Sequence, residues 1–204
     1  MIIYKMFPTL KIKPPLFYNW TSGIRFELGN PKEHNEVNYM KRVYFRSLSL
    51  FRRLHSANDE IFIVADIHHD NEVFRWRKIK IFKHYIKSKE ALFRLQHQTI
   101  PYVFEDVYDR IDYYTHKYIL KCNVSDVKYS QLIKAICNHD MDIKPKIHHD
   151  VFFINITKGT IFHVYDDRGC DVIASSKESI RYLYEEYNDW ILKYDKAAID
   201  ELFQ

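Results

Sequence analysis

Glycine, proline and cysteine are all scarce in this chain of 204 residues, with four, six and three of each. So few glycines and prolines exclude a collagenous, low-complexity or linker-rich chain. The three cysteines, Cys122, Cys137 and Cys170, are odd in number, far apart and set in apolar patterns. That argues against a disulfide framework or a cysteine-built zinc site and predicts reduced thiols in the core. No apolar run approaches the ~18 residues of a membrane span, and the opening MIIYKMFP lacks the apolar core and cleavage site of a signal peptide. A cytoplasmic protein with no membrane association is expected. An excess of one charge is missing too: 31 Lys and Arg face 27 Asp and Glu, so net charge points to no partner. No internal repeat, low-complexity tract or linker divides the chain, and one domain over residues 1–204 is expected.

Aromatic residues are abundant instead: 16 Tyr, 14 Phe and 3 Trp, more than a core of this size needs. Some of the tyrosines should therefore line a surface, where tyrosine is a favoured contact residue.

The most legible stretch is residues 150–190. Residues 151–156 and 161–165 are β-branched and aromatic runs joined by Thr157-Lys158-Gly159-Thr160, with Gly159 supplying the positive φ of a tight hairpin. A second reversal, Asp166-Asp167-Arg168-Gly169, leads to a third strand over residues 170–174, with Gly169 expected in the left-handed position. Ser175 and Glu178 have capping-box spacing, and Ile180, Leu183, Tyr184, Tyr187 and Ile191 form a helical stripe.

Upstream, residues 10–15 read as extended because of Pro14 and Pro15, residues 17–20 as an aromatic turn, and residues 23–29 as a half-buried strand. A helix over residues 35–56 places Val37, Met40, Val43, Tyr44, Leu50, Phe51 and Leu54 inward. The unbroken apolar run over residues 60–66 predicts a central strand covered on both faces. Residues 91–100 and 115–123 read as strands, and Ser125 as the cap of a helix over residues 126–138. The expected class is α+β: a mainly antiparallel sheet with three or more helices, ending in a three-stranded meander followed by a capped helix.

Four groups of residues carry chemical interest. His139, His148, His149 and Asp150 could ligate a divalent metal if their loop folded back, as could His68, His69 and Asp70; solvated residues at a helix end and a strand start fit the same pattern, and no fixed-spacing metal motif supports a site. Asp166, Asp167 and Arg168 contain an acid/base pair with a guanidinium, but turn chemistry accounts for them, with Gly169, as a structural turn. Arg75, Trp76, Arg77, Lys78, Lys80, Lys83 and Lys87 with Phe74, Phe82 and Tyr85 have the composition of a nucleic-acid surface. No RNP, helix-turn-helix or zinc-finger pattern accompanies them. Finally, Glu105, Asp106, Asp109 and Asp112 are interleaved with Tyr102, Tyr108, Tyr113 and Tyr114. Such an excursion suits docking on a basic protein, with carboxylates for steering and rings for contact.

The segments KPPLFYNW (residues 13–20), GIRFELG (23–29), KAICNHD (134–140), HDVFFIN (149–155) and IFHVYDDRGCDVIA (161–174) resemble the domain of unknown function 3885 family of Bacillus-type bacteria. The resemblance covers nearly the whole chain and implies no activity for any particular residue. The succession of strand, DDRG turn, strand and capped helix also looks like the C-terminal end of several bacterial toxin-immunity domains. The expectation is a non-catalytic protein-binding module, an immunity-type inhibitor of a bacterial toxin, with another protein as partner and no cofactor. A metal-dependent hydrolase or nuclease using the histidine-rich loops is the alternative.

Overall fold

A computed structural model describes residues 2–69, 80–104 and 113–204. Seven strands, β1 (Gly23–Glu27), β2 (Glu60–His69), β3 (Gln96–Pro101), β4 (Tyr114–Asn123), β5 (Asp150–Asn155), β6 (Thr160–Val164) and β7 (Gly169–Ala174), form one sheet in the order β1-β7-β6-β5-β2-β4-β3. Every pairing is antiparallel. The helices are α1 (Ile2–Met6), α2 (Glu36–Leu54), α3 (Lys80–Tyr85), α4 (Lys89–Leu92), α5 (Tyr129–Cys137), α6 (Arg181–Glu186) and α7 (Lys196–Phe203). The class is α+β, and the chain ends in the expected three-stranded meander followed by helix.

Side-chain alternation along β2 divides the core in two. Ile61, Ile63, Ala65 and Ile67 point to a first face, where they join Met40, Val43, Leu50 and Phe51 of α2 and Leu132, Ile133 and Ile136 of α5. Val64 and Phe62 point to the second face, which Ile3, Phe7, Leu10 and Leu16 of the N-terminal segment cover. Trp20 pins that segment down, its indole donating to Ala174 O at 2.6 Å and its ring meeting Phe7 edge-on at 5.3 Å. Because β2 contributes to both clusters, it has almost no polar alternation.

The β5–β6 hairpin turns on Gly159, whose φ is +67°. Asn155 stabilises the reversal by accepting from the backbone of Thr157 and Lys158, each at 3.0 Å. Gly169 has a different role from the one its turn position suggested: Gly159 is the positive-φ glycine. A Cβ at Gly169 would lie 2.0 Å from the Tyr165 hydroxyl oxygen and 2.7 Å from Phe26 O. Close approach to β1, not a left-handed backbone, requires glycine there.

Several boundaries differ from the sequence reading. Residues 91–100 are not one strand: the Ser88 side chain caps α4 by accepting from Ala91 N, and β3 starts only at Gln96. Ser125 caps nothing; Asn123 and Asp126 form a reciprocal capping box around a single 3-10 turn, and α5 starts later, at Tyr129. At the C-terminus the cap is Ser176, one residue after Ser175, and it opens a 3-10 turn before α6. The apolar stripe then leaves helix after Glu186, because Ile191 bridges Phe26 and Leu192 N donates to Arg25 O at 2.8 Å. That pairing covers the outer edge of β1. Val37, expected inward, is exposed on the first turn of α2.

Candidate functional site

The second face becomes steadily more polar from one end of the sheet to the other. Its first row, Lys121–Phe62–Ile154–Ile161–Ile173, is apolar apart from Lys121 on β4. Next comes Ile119–Val64–Phe152–His163–Asp171–Arg25, and then Lys117–Asp66–Asp150. Beyond these, His68 faces Thr115 across β2 and β4.

The polar groups are paired across strands. Lys117 donates to both oxygens of Asp66, at 2.8 and 2.6 Å. Asp66 is almost fully buried, and burial raises its pKa despite the opposing Lys117 charge. Asp171, wholly buried, accepts from Phe17 N at 3.1 Å and Arg25 Nε at 3.0 Å. The Arg25 guanidinium lies over the Tyr18 and Tyr165 rings at 4.9 and 5.3 Å. Asp150 pairs with His68, Nε2 to Oδ2 at 3.2 Å, while His68 Nδ1 lies 3.1 Å from the Thr115 hydroxyl. Burial opposes ionisation of Asp150, but the His68 hydrogen bond and the nearby His163, His68 and His139 rings outweigh it, and its carboxyl is held below the usual range. With Asp150 ionised, Nε2–H donates to the carboxylate and, in the neutral ring, Nδ1 accepts from Thr115.

Both ring nitrogens of His68 being engaged, the imidazole is held in one orientation, and aromatic side chains gather on it. Tyr102 and Phe104 meet His68 edge-on at 5.3 and 5.4 Å. Tyr102 in turn meets Phe104 at 5.4 Å and Tyr113 at 5.3 Å. Tyr102, Phe104, Tyr113 and Tyr114 are all half-buried, so the cluster is a surface feature with its rings already assembled. These residues are the two ends of the tyrosine-rich excursion. Glu105, Asp106, Tyr108, Asp109 and Asp112 lie outside the described residues.

Beside the cluster a cavity of about 650 Å³ opens between the N-terminal segment and the sheet, with Val64, Ile119, Ile100, Tyr102 and Lys117 among its walls. Lys13 reaches across it to donate to Val103 O at 3.0 Å.

The other candidates are dispersed or already engaged. His139 and His148 meet edge-on at 4.8 Å, while Asp150 is turned to His68. Burial, with the His139 and Lys146 charges, lowers the His148 pKa. Among the described residues no three His, Cys, Asp or Glu side chains are grouped to hold a metal ion; Asp70 lies outside them. In the DDRG turn, Asp166 accepts from the Arg168 backbone at 2.7 Å and from its guanidinium, and Asp167 accepts from the Tyr39 hydroxyl at 2.5 Å. Of the basic stretch, Phe82 and Tyr85 are buried, and Phe74, Arg75, Trp76, Arg77 and Lys78 lie outside the described residues. All three cysteines are free and buried. Burial pushes the Cys122 and Cys137 thiols up to about 12, which keeps them protonated and unreactive.

Sequence reasoning missed Thr115, Asp66, Lys117 and Phe104. A signal existed for Asp66, the one charge ending an apolar run. None existed for the others, because each acquires its role through strand register.

The molecule is thus an α+β protein built on a seven-stranded antiparallel sheet, with an aromatic cluster anchored at the polar end of one face. The chain belongs to the family described as domain of unknown function (DUF3885), which matches residues 2–195. It is similar to a Bacillus subtilis (strain 168) protein described as "Uncharacterized protein YnaE", with 36% identity over 205 residues covering 94% of this chain and 96% of that one. No solved structure matches. Among the described residues no helix is long and apolar enough to cross a membrane.

Proposed function

We propose that this protein is a non-catalytic protein-binding module, acting as an immunity-type inhibitor of a bacterial toxin. The observation that supports this reading is the ring cluster of Tyr102, Phe104 and Tyr113 around His68. Tyrosines held in place before binding lose little conformational entropy on contact, and buried aromatic anchors carry most interface energy. The acidic residues between Tyr102 and Tyr113 add attraction for a basic partner such as a nuclease toxin. Carboxylates beside the cluster serve it as supports: the half-buried Asp150 orients His68, and the buried Asp66 is tied to Lys117.

The test is co-expression with the toxic domain of a secreted protein encoded beside the gene. The protein should restore growth, and Tyr102→Ala with Tyr113→Ala should abolish rescue without lowering Tm. A neighbourhood consistently lacking such a toxin, or undiminished rescue by the double variant, would contradict the proposal.

A further inference from the structure

At the end of β3 opposite Tyr102 lies a groove of about 600 Å³ formed by Lys83, Ile86, Lys87, Lys89, Leu92 and Phe93. Its floor is aliphatic, with Ile86 buried and Leu92 half-buried, and its rim is cationic. Phe93 is 90% exposed, the most exposed of the large apolar side chains among the described residues. A ring so placed buries little of its surface. The support beneath it is firm: Ile86 bridges Val127, Lys87 N donates to Asp126 O at 2.7 Å, and Lys128 N donates to Tyr85 O at 2.7 Å.

Among the described residues no ion pair holds the rim lysines. Lys87 Nζ donates to Ser125 O, a neutral carbonyl, and no carboxylate pairs with Lys83 or Lys89 among the described residues. The adjacent Glu90 accepts from the Ser88 hydroxyl. Arg94 and His84 are exposed nearby. The site therefore selects an anionic partner, and its shape distinguishes which kind. Single-stranded nucleic acid needs several rings for stacking, and Phe82 and Tyr85, the other aromatics of this stretch within the described residues, are buried. An aliphatic floor instead accommodates one apolar side chain.

We propose that this groove binds a short acidic peptide segment of another protein, a bulky apolar side chain seated on Ile86 and Leu92, beneath Phe93, and flanking carboxylates on Lys83, Lys87 and Lys89. This surface is independent of the Tyr102 cluster and stands whether or not that cluster binds a toxin.

The test is fluorescence anisotropy with a fluorescein-labelled peptide of Glu and Asp residues carrying one central Leu. Lys83→Glu with Lys89→Glu should weaken binding about tenfold or more, an effect that shrinks as salt shortens the screening length. Phe93→Ser, and separately Leu→Ser in the peptide, should each weaken it about fivefold at any salt. All the substituted residues are exposed, so Tm should not change, and Tyr102→Ala should leave peptide binding intact. Absence of peptide binding, equal binding by the variants, or tighter binding of a single-stranded oligonucleotide or a phosphatidylserine vesicle through the same residues would overturn the proposal.

Discussion

Under α2 and α5, the row Leu120–Ile63–Phe153–Phe162–Val172–Ile24 is apolar from one side of the sheet to the other; one residue along, on the opposite face, the row reads Ile119–Val64–Phe152–His163–Asp171–Arg25. The first face is covered by helices with apolar stripes, so hydrophobic burial is what mainly holds it. On the second face, the N-terminal segment covers the apolar end and, through Phe17 and Tyr18, Asp171 and Arg25, while cross-strand pairs between charged groups hold the polar rows. A paired buried charge contributes little net stability, yet removing one partner is very costly. The two faces should thus respond differently to substitution: the first through lost volume, the second through orphaned charge. It is the second, whose polar end remains partly open, that supports the aromatic cluster.

The largest expected effect is at Asp171. Asp171→Ala leaves Arg25 beside Asp195 alone, at 3.6 Å, and removes the acceptor for Phe17 N. A loss of about 3–5 kcal/mol is expected. The exposed Arg53–Glu186 pair, although shorter at 2.7 Å, should yield under about 1 kcal/mol when broken. Urea denaturation of both variants measures the contrast, and equal losses would mean the buried charges are not special.

The first face carries its own titratable group. His55, stacked on Phe51 at a centroid distance of 4.0 Å, has its pKa lowered to about 4 by burial. Folding therefore favours the neutral ring. The contribution is fully present above the unfolded value near 6.5 and is lost as pH falls towards 4. His55→Phe, which keeps a stacked ring, should remove about 3 kcal/mol of acid sensitivity over that interval. Stability curves at successive pH values check this; an unchanged slope would locate the acid sensitivity elsewhere.

A smaller effect is expected where β7 passes β1. Gly169→Ala drives a methyl group into the Tyr165 hydroxyl and towards Phe26 O, at a cost of about 1–3 kcal/mol. Tyr165→Phe should recover part of it, and a thermal double-mutant cycle reads the coupling. Strict additivity would show that Tyr165 is not the obstacle.

How much of this was legible follows from the range of the interactions. Periodicity identified β1, β2, β4 and the C-terminal meander, because alternation and turn residues are local. The unbroken run ending at Asp66 correctly placed β2 inside the sheet. What periodicity could not supply was register: Lys117 and Asp66 are 51 residues apart, and His68 and Asp150 are 82 apart. The two histidine-rich stretches looked alike as sequence, and the sheet sets them at the same end, where His68 takes Asp150 from the other stretch. Likewise the tyrosines around residue 108 suggested a surface, but only closure of Tyr102 onto Tyr113 shows that Phe104 and His68 complete the cluster. Phe93 was hidden inside an apparent strand, and its exposure follows from α4 ending at Leu92.

The central claim is that the polar end of the second face holds an aromatic cluster ready for a protein partner. Isothermal titration with the purified toxin domain tests it most directly. Tyr102→Ala with Tyr113→Ala should weaken binding about a hundredfold, as loss of two interface anchors would. His68→Leu, which removes the support and leaves Asp150 without that partner, should weaken it about tenfold at some cost in stability, whereas the double tyrosine variant should keep Tm within a few degrees. Wild-type affinity in both variants would contradict the account.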